Sequence, residues 1–381
     1  MSKTPGMAAA DRLPEEFGLC RGSGTDGMRR SRDESLAAFA PERFGFSAYK
    51  GGWTIDFPQT GTIAFASLDW AHNQATSFWL RDGERSVSNA LELVVQLQEE
   101  IWGFPPEEAV PVNILSIIED TGASLLVAYQ LEKGFNAEGW LGFAFGIGTK
   151  HGPMYSHMLG VRSEYRSGID LGWYLKVLQG YLALQEGFDE MTWTVDPLRD
   201  ANARLNQEKL AATAVNLTID KYGVMRSTLY GNVPTDRFTN MWDMRSSHVH
   251  QRLQQVFDRG YRPRRPVDLT GLPEATTENA AQLRQELPAQ LVYRVPGDID
   301  QLLRVDPQRA VDWRNEMREV LGVLITRRAA IVGEDVAKEG PIAIRKSVID
   351  GPYDVTGFAT ELDEFGNRES LFLLERKDDQ S

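Results

Sequence analysis

The chain has 381 residues, of which 42% are hydrophobic and 25% charged, a composition typical of a soluble globular protein with one or two domains. Its 41 basic and 54 acidic side chains give a net charge of −13, which disfavours general nucleic-acid binding because phosphate neutralisation needs surplus Lys and Arg. The single cysteine, Cys20, excludes an internal disulfide, and no run reaches the roughly 18 apolar residues of a membrane span. We therefore expect a cytoplasmic protein that binds neither membranes nor nucleic acids.

The N-terminal part is predicted to hold a tail, a β extension and two helices. Residues 1–34 are rich in Gly, Ser, Arg and acids without periodicity, which predicts a mobile tail. Residues 35–87 form an N-terminal extension, where alternating aromatic and small residues at 44–82 indicate short strands or hairpins. The helical pattern "SNALELVVQLQEEIWG" follows, and a second short helix is predicted at roughly 111–121.

The middle of the chain, residues 88–250, alternates strand and helix patterns. This order predicts an α/β or α+β fold with one mixed, twisted sheet flanked by helices. Strands are predicted at 124–130, 139–148, 154–161 and 190–197, and helices at 171–187 and 199–213.

The last third is predicted to contain a linker and a second folded region. Residues 251–290 are polar and include Pro263, Pro266 and Pro273, which indicates a linker or excursion. Residues 291–381 form a C-terminal α/β extension, with the helical pattern "QRAVDWRNEMREVLGVLI" and the strand patterns "YDVTGFATEL" and "SLFLLER".

The stretch "SEYRSGIDLGWYLK" (163–176) places small residues and an arginine where a strand leads into a helix. A helix N-terminus offers unpaired N–H groups and about half a positive charge, so it binds phosphate readily. Small residues let the backbone curl around an oxygen, and Arg166 can add a charge-assisted hydrogen bond. An ordinary tight turn is the alternative, because strand–turn–helix units containing glycine are common.

Further motifs place this stretch in context. "SHMLGV" precedes the turn, and "TWTVDPL", "NARLN" and "PTDRF" follow it. Together they resemble a branch of the GCN5-related N-acetyltransferases (GNAT), over roughly residues 88–378. The resemblance implies the GNAT-type mixed twisted sheet, carrying the N-terminal β and C-terminal α/β extensions, and acetyl-CoA or another acyl-CoA as co-substrate.

The resemblance also implies which residues hold the acyl-CoA. The family turn has glycine or alanine where this chain has Ile169 and Leu171, so we expect Asp170 to point away from the diphosphate and cap the helix. The pantetheine arm is expected along the strand before the turn, the diphosphate on the turn, and an asparagine of the second helix beside the pantetheine. These residues are Leu159, Gly160 and Val161, then Arg166, Ser167, Gly168, Asp170, Leu171 and Gly172, and finally Asn202.

Candidate catalytic residues follow from the chemistry of amine acylation, which needs a base for the amine and an acid for the departing thiolate. Strict alternation along 154–161 puts Tyr155, His157, Leu159 and Val161 on one face, with His157 as the candidate base. Tyr222 is the candidate proton donor. Tyr155, Asp236 and Arg237 are predicted to bind the acceptor, although each polar side chain also has an ordinary structural role as its alternative.

The sequence hypothesis is an acyl-CoA-dependent N-acyltransferase that moves an acetyl or succinyl group to a small-molecule amine, such as an amino acid, by direct attack. The alternative is a catalytically inactive GNAT-fold binding or assembly protein, favoured by the irregular turn at 166–172. A nucleotide-dependent enzyme of another kind is disfavoured, because no Walker-type or dinucleotide fingerprint is present. No metal is expected, since His248 and His250 lack ligand partners nearby, and a homodimer through the extensions remains open.

Overall fold

A computed structural model gives the fold of most of the chain. No helix in this described part has the length and apolar content needed to cross a bilayer. The described residues are 29–68, 87–116, 124–150, 152–166, 168–223, 234–259, 269, 271–325, 328–331, 346–349, 351–362 and 368–377.

A single twelve-stranded sheet organises the described chain, in the order β1-β2-β3-β4-β5-β6-β7-β9-β8-β13-β14-β10, while β11 and β12 pair separately. Apart from β6 and β7, the neighbouring strands of the described sheet are antiparallel. The strands are β1 Ser47–Tyr49, β2 Gly52–Phe57, β3 Gly61–Ser67, β4 Ser124–Gln130, β5 Trp140–Ile147, β6 Met154–Val161, β7 Glu190–Val195, β8 Thr213–Thr218, β9 Arg237–Asp243, β10 Gln290–Pro296, β11 Arg328–Ile331, β12 Lys346–Ile349, β13 Tyr353–Leu362 and β14 Arg368–Arg376.

Helices lie on both faces of this sheet, which confirms the predicted mixed α/β class. Short 3₁₀ turns occur at Pro41–Phe44 and Ser163–Tyr165. The helices are α1 Arg32–Phe39, α2 Val87–Trp102, α3 Val112–Leu115, α4 Leu171–Gln185, α5 Asp200–Ala203 with its π-helical continuation Arg204–Lys209, α6 Ser247–Arg259, α7 Ala280–Glu286, α8 Ile299–Val305 and α9 Pro307–Leu324.

Clusters of buried apolar side chains hold these layers together. Helix α4 is apolar on nearly every side, so it is buried between the sheet and α1, and its side chains form the largest cluster with β3–β7. Helix α2 covers the opposite face of β3–β5. Helix α9 packs on β8, β10, β13 and β14 and builds the core of the C-terminal region.

The C-terminal strands continue the main sheet, but the backbone joint between the two regions is narrow. One register pair, Val355 with Ala214, links β13 to β8. Side chains of α9 add a second connection, because Arg314 and Arg318 bind Asp196 and Asp236 of the central region. Side chains therefore contribute to the joint beyond strand pairing, through this charge network and through apolar contacts of Leu217 and Phe238 with the C-terminal core.

Several sequence predictions need correction. Residues 29–34 are not a tail, because a reciprocal hydrogen-bonded cap of Ser31 and Glu34 starts α1. The stretch 251–290, predicted to be a linker or excursion, contains the end of α6 and all of α7, and Val249 and Leu253 give α6 a buried apolar stripe. The predicted helix 199–213 ends at Lys209, and strands β8 and β9, which the sequence patterns did not reveal, follow it.

Candidate active site

The candidate site is the gap between the two parallel strands β6 and β7. They pair only at Met154 with Met191 and Tyr155 with Thr192, after which both strands continue without pairing to one another. The edge of β6 from Ser156 to Val161 therefore presents backbone N–H and C=O groups toward the gap. An extended ligand can bind along such an edge in the way that an added β-strand would.

A β-bulge divides the residues of β6 between the two faces of the sheet. Phe145 pairs with Met158 and Gly146 with Ser156, so His157 is the extra residue on β6. The predicted common face of Tyr155, His157, Leu159 and Val161 is therefore wrong. Leu159 and Val161 pack toward α4, whereas Met158 packs toward α2.

Gly160 and Gly172 shape the gap because neither residue has a side chain. A Cβ on Gly160 would lie 2.6 Å from the Trp102 ring, so α2 packs directly on the β6 backbone. A Cβ on Gly172 would lie 3.4 Å from Leu159 and 3.8 Å from Leu205. Because Gly172 has no side chain, space remains between the start of α4, β6 and the π-helical segment.

The polar residues of the turn before α4 make contacts that differ from those predicted from the sequence. Gly168 has φ +92°, a conformation that favours glycine, while Ser167 lies outside the described residues. Arg166 donates from Nε to the Val161 carbonyl at 2.9 Å, so part of its guanidinium holds the loop itself. The turn thus keeps a small residue and the start of a fifteen-residue helix at the mouth of the gap.

Asp170 does not cap the helix, which corrects the sequence prediction. It occupies the N-cap position in the left-handed region, at φ 53°, and its side chain makes no capping hydrogen bond. Both of its carboxylate oxygens instead bind Nζ of Lys209 at the end of the π-helical segment. The carboxylate therefore pairs with Lys209 and not with the backbone N–H groups that start α4.

Tyrosine hydroxyls gather on the α2 side of the gap. The Tyr222 hydroxyl lies 2.8 Å from Oγ1 of Thr194, a residue of β7. Burial raises the pKa of Tyr155 to about 12, the nearby Tyr222 adds to this effect, and Thr194 and Arg237 oppose it. The structure thus brings Tyr155 and Tyr222 together, and the Tyr155 phenol keeps its proton at neutral pH.

His157 lies beside these tyrosines at the bulge. Its ring is 5.9 Å from the Phe145 ring and 6.2 Å from the Tyr155 ring, and the residue is exposed to solvent. Partial desolvation of the imidazole lowers the pKa of His157 below its ordinary value of 6.5. The imidazole is therefore neutral at pH 7 and able to accept a proton.

Asp236 and Arg237 belong to a buried charge network. Asp236 has no exposed surface, and Nε and Nη2 of Arg318 each donate to its carboxylate at 2.8 Å. Arg237 is 3% exposed, donates to the Asp236 carbonyl, and places its guanidinium 5.4 Å from the centre of the Tyr222 ring. Direct acceptor binding by Asp236 does not fit this burial, so the ion-pair alternative accounts better for this residue.

Asn202 and Asn206 fix the helix that follows β7. Nδ2 of Asn202 is 3.4 Å from the Asp196 carbonyl, and the Asn202 carbonyl accepts a hydrogen bond from Asn206. Asn206 in turn accepts from the Trp193 indole at 3.0 Å. Asn202 is thus held half-buried at the carboxyl end of β7.

Lys176 is the residue of this site that the sequence reasoning missed. Its side-chain amine lies on the α4 side of the gap, and the residue is 2% exposed. A signal was present, because Lys176 is the one charged residue in the apolar run "LGWYLKVLQGYLAL" of α4. The described residues contain no cluster of three or more His, Cys, Asp or Glu that would hold a metal ion.

Comparisons with known proteins give distant structural likeness. No family model matches the chain, and no curated protein matches it in sequence. The NatC complex bound to Gag peptide and CoA matches with 13% identity and a TM-score of 0.34, over 48% of this chain and 98% of that chain. A GNAT-family acetyltransferase from Desulfovibrio desulfuricans, described as putative, matches with 16% identity and a TM-score of 0.32, over 48% and 99%. We draw no functional conclusion from likeness at this level.

Proposed function

We propose that the protein is an acyl-CoA-dependent N-acyltransferase that moves an acyl group, acetyl or succinyl, to the amine of a small molecule such as an amino acid. The observation that carries the proposal is the gap between β6 and β7, which exposes a strand edge beside a glycine-containing helix start. The sequence resemblance to GNAT proteins points to the same place.

The residues around the gap fit an acyl-CoA in three ways. The free edge of β6 at Leu159–Val161 matches the amide groups of a pantetheine arm, and Gly172 leaves space beside it. The N-terminus of α4 offers unpaired N–H groups to a diphosphate. The carboxylate of Asp170 would repel a diphosphate at this helix start. Its ion pair with Lys209 weakens that repulsion.

The chemistry proposed is direct attack of the acceptor amine on the thioester carbon. His157, neutral at pH 7, removes a proton from the acceptor's ammonium group, directly or through water. Tyr222 donates a proton to the departing thiolate, and Tyr155 and Thr194 orient its hydroxyl. Arg237 acts as a positioning residue that supports the Tyr222 ring.

Calorimetric titration with CoA, acetyl-CoA and succinyl-CoA tests the proposal. We expect Kd values on the order of micromolar, and at least about a hundredfold loss for Gly168→Glu, which adds a like charge and a side chain to the turn. Gly271→Glu is the matched control, because Gly271 also has positive φ and its Cβ would meet nothing within 4 Å. Unchanged CoA affinity in folded Gly168→Glu would contradict the proposal.

A wild-type protein that binds no CoA at millimolar concentration would instead support the alternative, a non-catalytic protein that kept this fold. The observation favouring that alternative is the irregular turn, in which Ile169 and Leu171 stand where the GNAT pattern has small residues. An amine-acceptor screen follows if CoA binds, and the acyl form with the lowest Kd indicates the donor.

A further inference from the structure

The side-chain amine of Lys176 is buried without a carboxylate partner among the described residues. Among the described residues no carboxylate contacts its Nζ, which hydrogen bonds to Oγ of Ser156 at 2.6 Å and lies 3.4 Å from Oε1 of Gln179. The indole ring of Trp193 is 3.8 Å away. Burial lowers the pKa of Lys176 well below its ordinary value of 10.5, which favours the neutral amine with a free lone pair.

The position of this amine is specific. The last paired residues of β6 and β7 are Tyr155 and Thr192, and the next residue on each strand, Ser156 and Trp193, contacts Lys176. The amine therefore stands at the closed end of the gap, on the face that α4 covers. Tyr155 and Tyr222 occupy the opposite face, so an atom held in the gap lies between the amine and the phenols.

We propose that Lys176 is a site of self-acylation, where bound acyl-CoA acylates Nζ when no acceptor amine is present. This inference rests on the proposed function, since the gap must hold the thioester. Nζ attacks the thioester carbon, the N–C bond forms, and the C–S bond breaks with its electron pair leaving on sulfur. The proton that nitrogen loses passes to the thiolate, which leaves an amide on Lys176 and a free CoA thiol.

The buried surroundings favour this product over the starting amine. An amide is neutral at every pH, so acylation removes the tendency of a buried amine to take up a proton. Its N–H still has Oγ of Ser156 as an acceptor. Because an amide does not return its acyl group to a second amine as a thioester would, the product is a modified enzyme rather than a step of turnover.

The experiment incubates the full chain with acetyl-CoA without an acceptor and maps acetylated lysines by peptide mass spectrometry. We expect Lys176 to react roughly tenfold faster than exposed Lys133, because a bound thioester has a high effective concentration at the amine. Excess free CoA should suppress the reaction at Lys176 only. A small thioester without the nucleotide, S-acetyl-N-acetylcysteamine, should reverse the order, since Lys176 is shielded from bulk reagents.

Lys176→Met completes the test, with CoA binding measured in parallel by calorimetry. We expect the variant to bind CoA and to lose the acetyl group assigned to position 176, while modification of Lys133 continues. Binding of CoA to wild type with no acetyl on Lys176, or with equal rates at Lys176 and Lys133, would overturn the inference and leave the proposed function intact. Absence of CoA binding in wild type would overturn both.

Discussion

Two buried sets of ionisable side chains near β7 differ in whether an oppositely charged partner lies beside them. At the joint with the C-terminal region, Asp196 and Asp236 are 3% and 0% exposed, and arginines of α9 bind both. On the α4 side of the gap, Lys176 is equally buried but contacts a hydroxyl, an amide and an indole. Removing one partner of a buried ion pair is strongly destabilising, whereas a buried amine without a counter-charge favours its neutral form and marks a place where chemistry is expected.

The largest effect on stability is expected at the ion-pair network of Asp196 and Asp236. Asp236→Ala leaves Arg318 without its carboxylate and removes one of the two carboxylates beside Arg314, so we expect the free energy of unfolding to fall by about 3–5 kcal/mol in denaturant titrations. Asp258→Ala, a change on the exposed face of α6, is the control, with a change under about 0.5 kcal/mol. Equal effects of the two would show that the network does not stabilise the joint.

The pH dependence of stability sharpens this prediction. Burial acts to raise the pKa of Asp236, but hydrogen bonds from Arg318 and the Asp220 backbone outweigh it and lower the pKa below 3.8. The native state therefore holds the proton less tightly than the unfolded chain, and the stabilisation is complete above the unfolded pKa. It should be lost as the pH falls through the folded pKa, and Asp236→Asn should flatten that part of the curve.

The next effect concerns catalysis on the tyrosine side of the gap. Tyr222→Phe removes the proposed proton donor, so we expect kcat to fall about a hundredfold with the best acceptor from the amine screen, while Kd for CoA stays unchanged. Tyr181→Phe, which removes a hydroxyl bonded to Gln185 at the surface, is the matched control. A loss of CoA affinity in Tyr222→Phe as large as the loss of kcat would assign it a structural role.

The buried amine of Lys176 gives a prediction of opposite sign for stability. Lys176→Met replaces a buried polar group by an apolar one of similar length, so we expect stability at neutral pH to rise by about 1–3 kcal/mol. Because burial lowers the folded pKa, wild-type stability should increase with pH up to the unfolded value near 10.5. The gain from the substitution should therefore shrink as the pH rises, and a gain that grows with pH would contradict the reasoning.

The smallest effect is expected at the ion pair of Asp170 and Lys209. Asp170→Gly removes a partly exposed pair and relieves a left-handed backbone position, so the two contributions oppose one another and stability should change by under about 1 kcal/mol. CoA affinity should stay the same or increase, because Lys209 is freed to face the diphosphate. A large loss of affinity in the calorimetric titration would show that the pair shapes the turn.

The sequence predicted the fold class well and the site only in part. Patterns around Met154–Val161 and Leu171–Gln185 were strong, because a buried strand and an apolar helix repeat with clear periods. The bulge at His157 was not predictable, since it depends on register with β5 and moves Leu159 to the other face. Asp170 was misassigned because its partner, Lys209, is distant in sequence and reaches it only through the π-helical segment.

The narrow joint at Val355 and Ala214 has a consequence for how this chain tolerates change over evolutionary time. A long backbone ladder accepts almost any side chain at its joint, because the hydrogen bonds belong to the main chain. Here part of the attachment is carried by side chains, in which Arg314 and Arg318 pair with Asp196 and Asp236, so neither the arginines nor the aspartates can change alone. We expect homologues that lose one partner to have replaced the other, and homologues that lack the region from residue 291 onward to lack both acids.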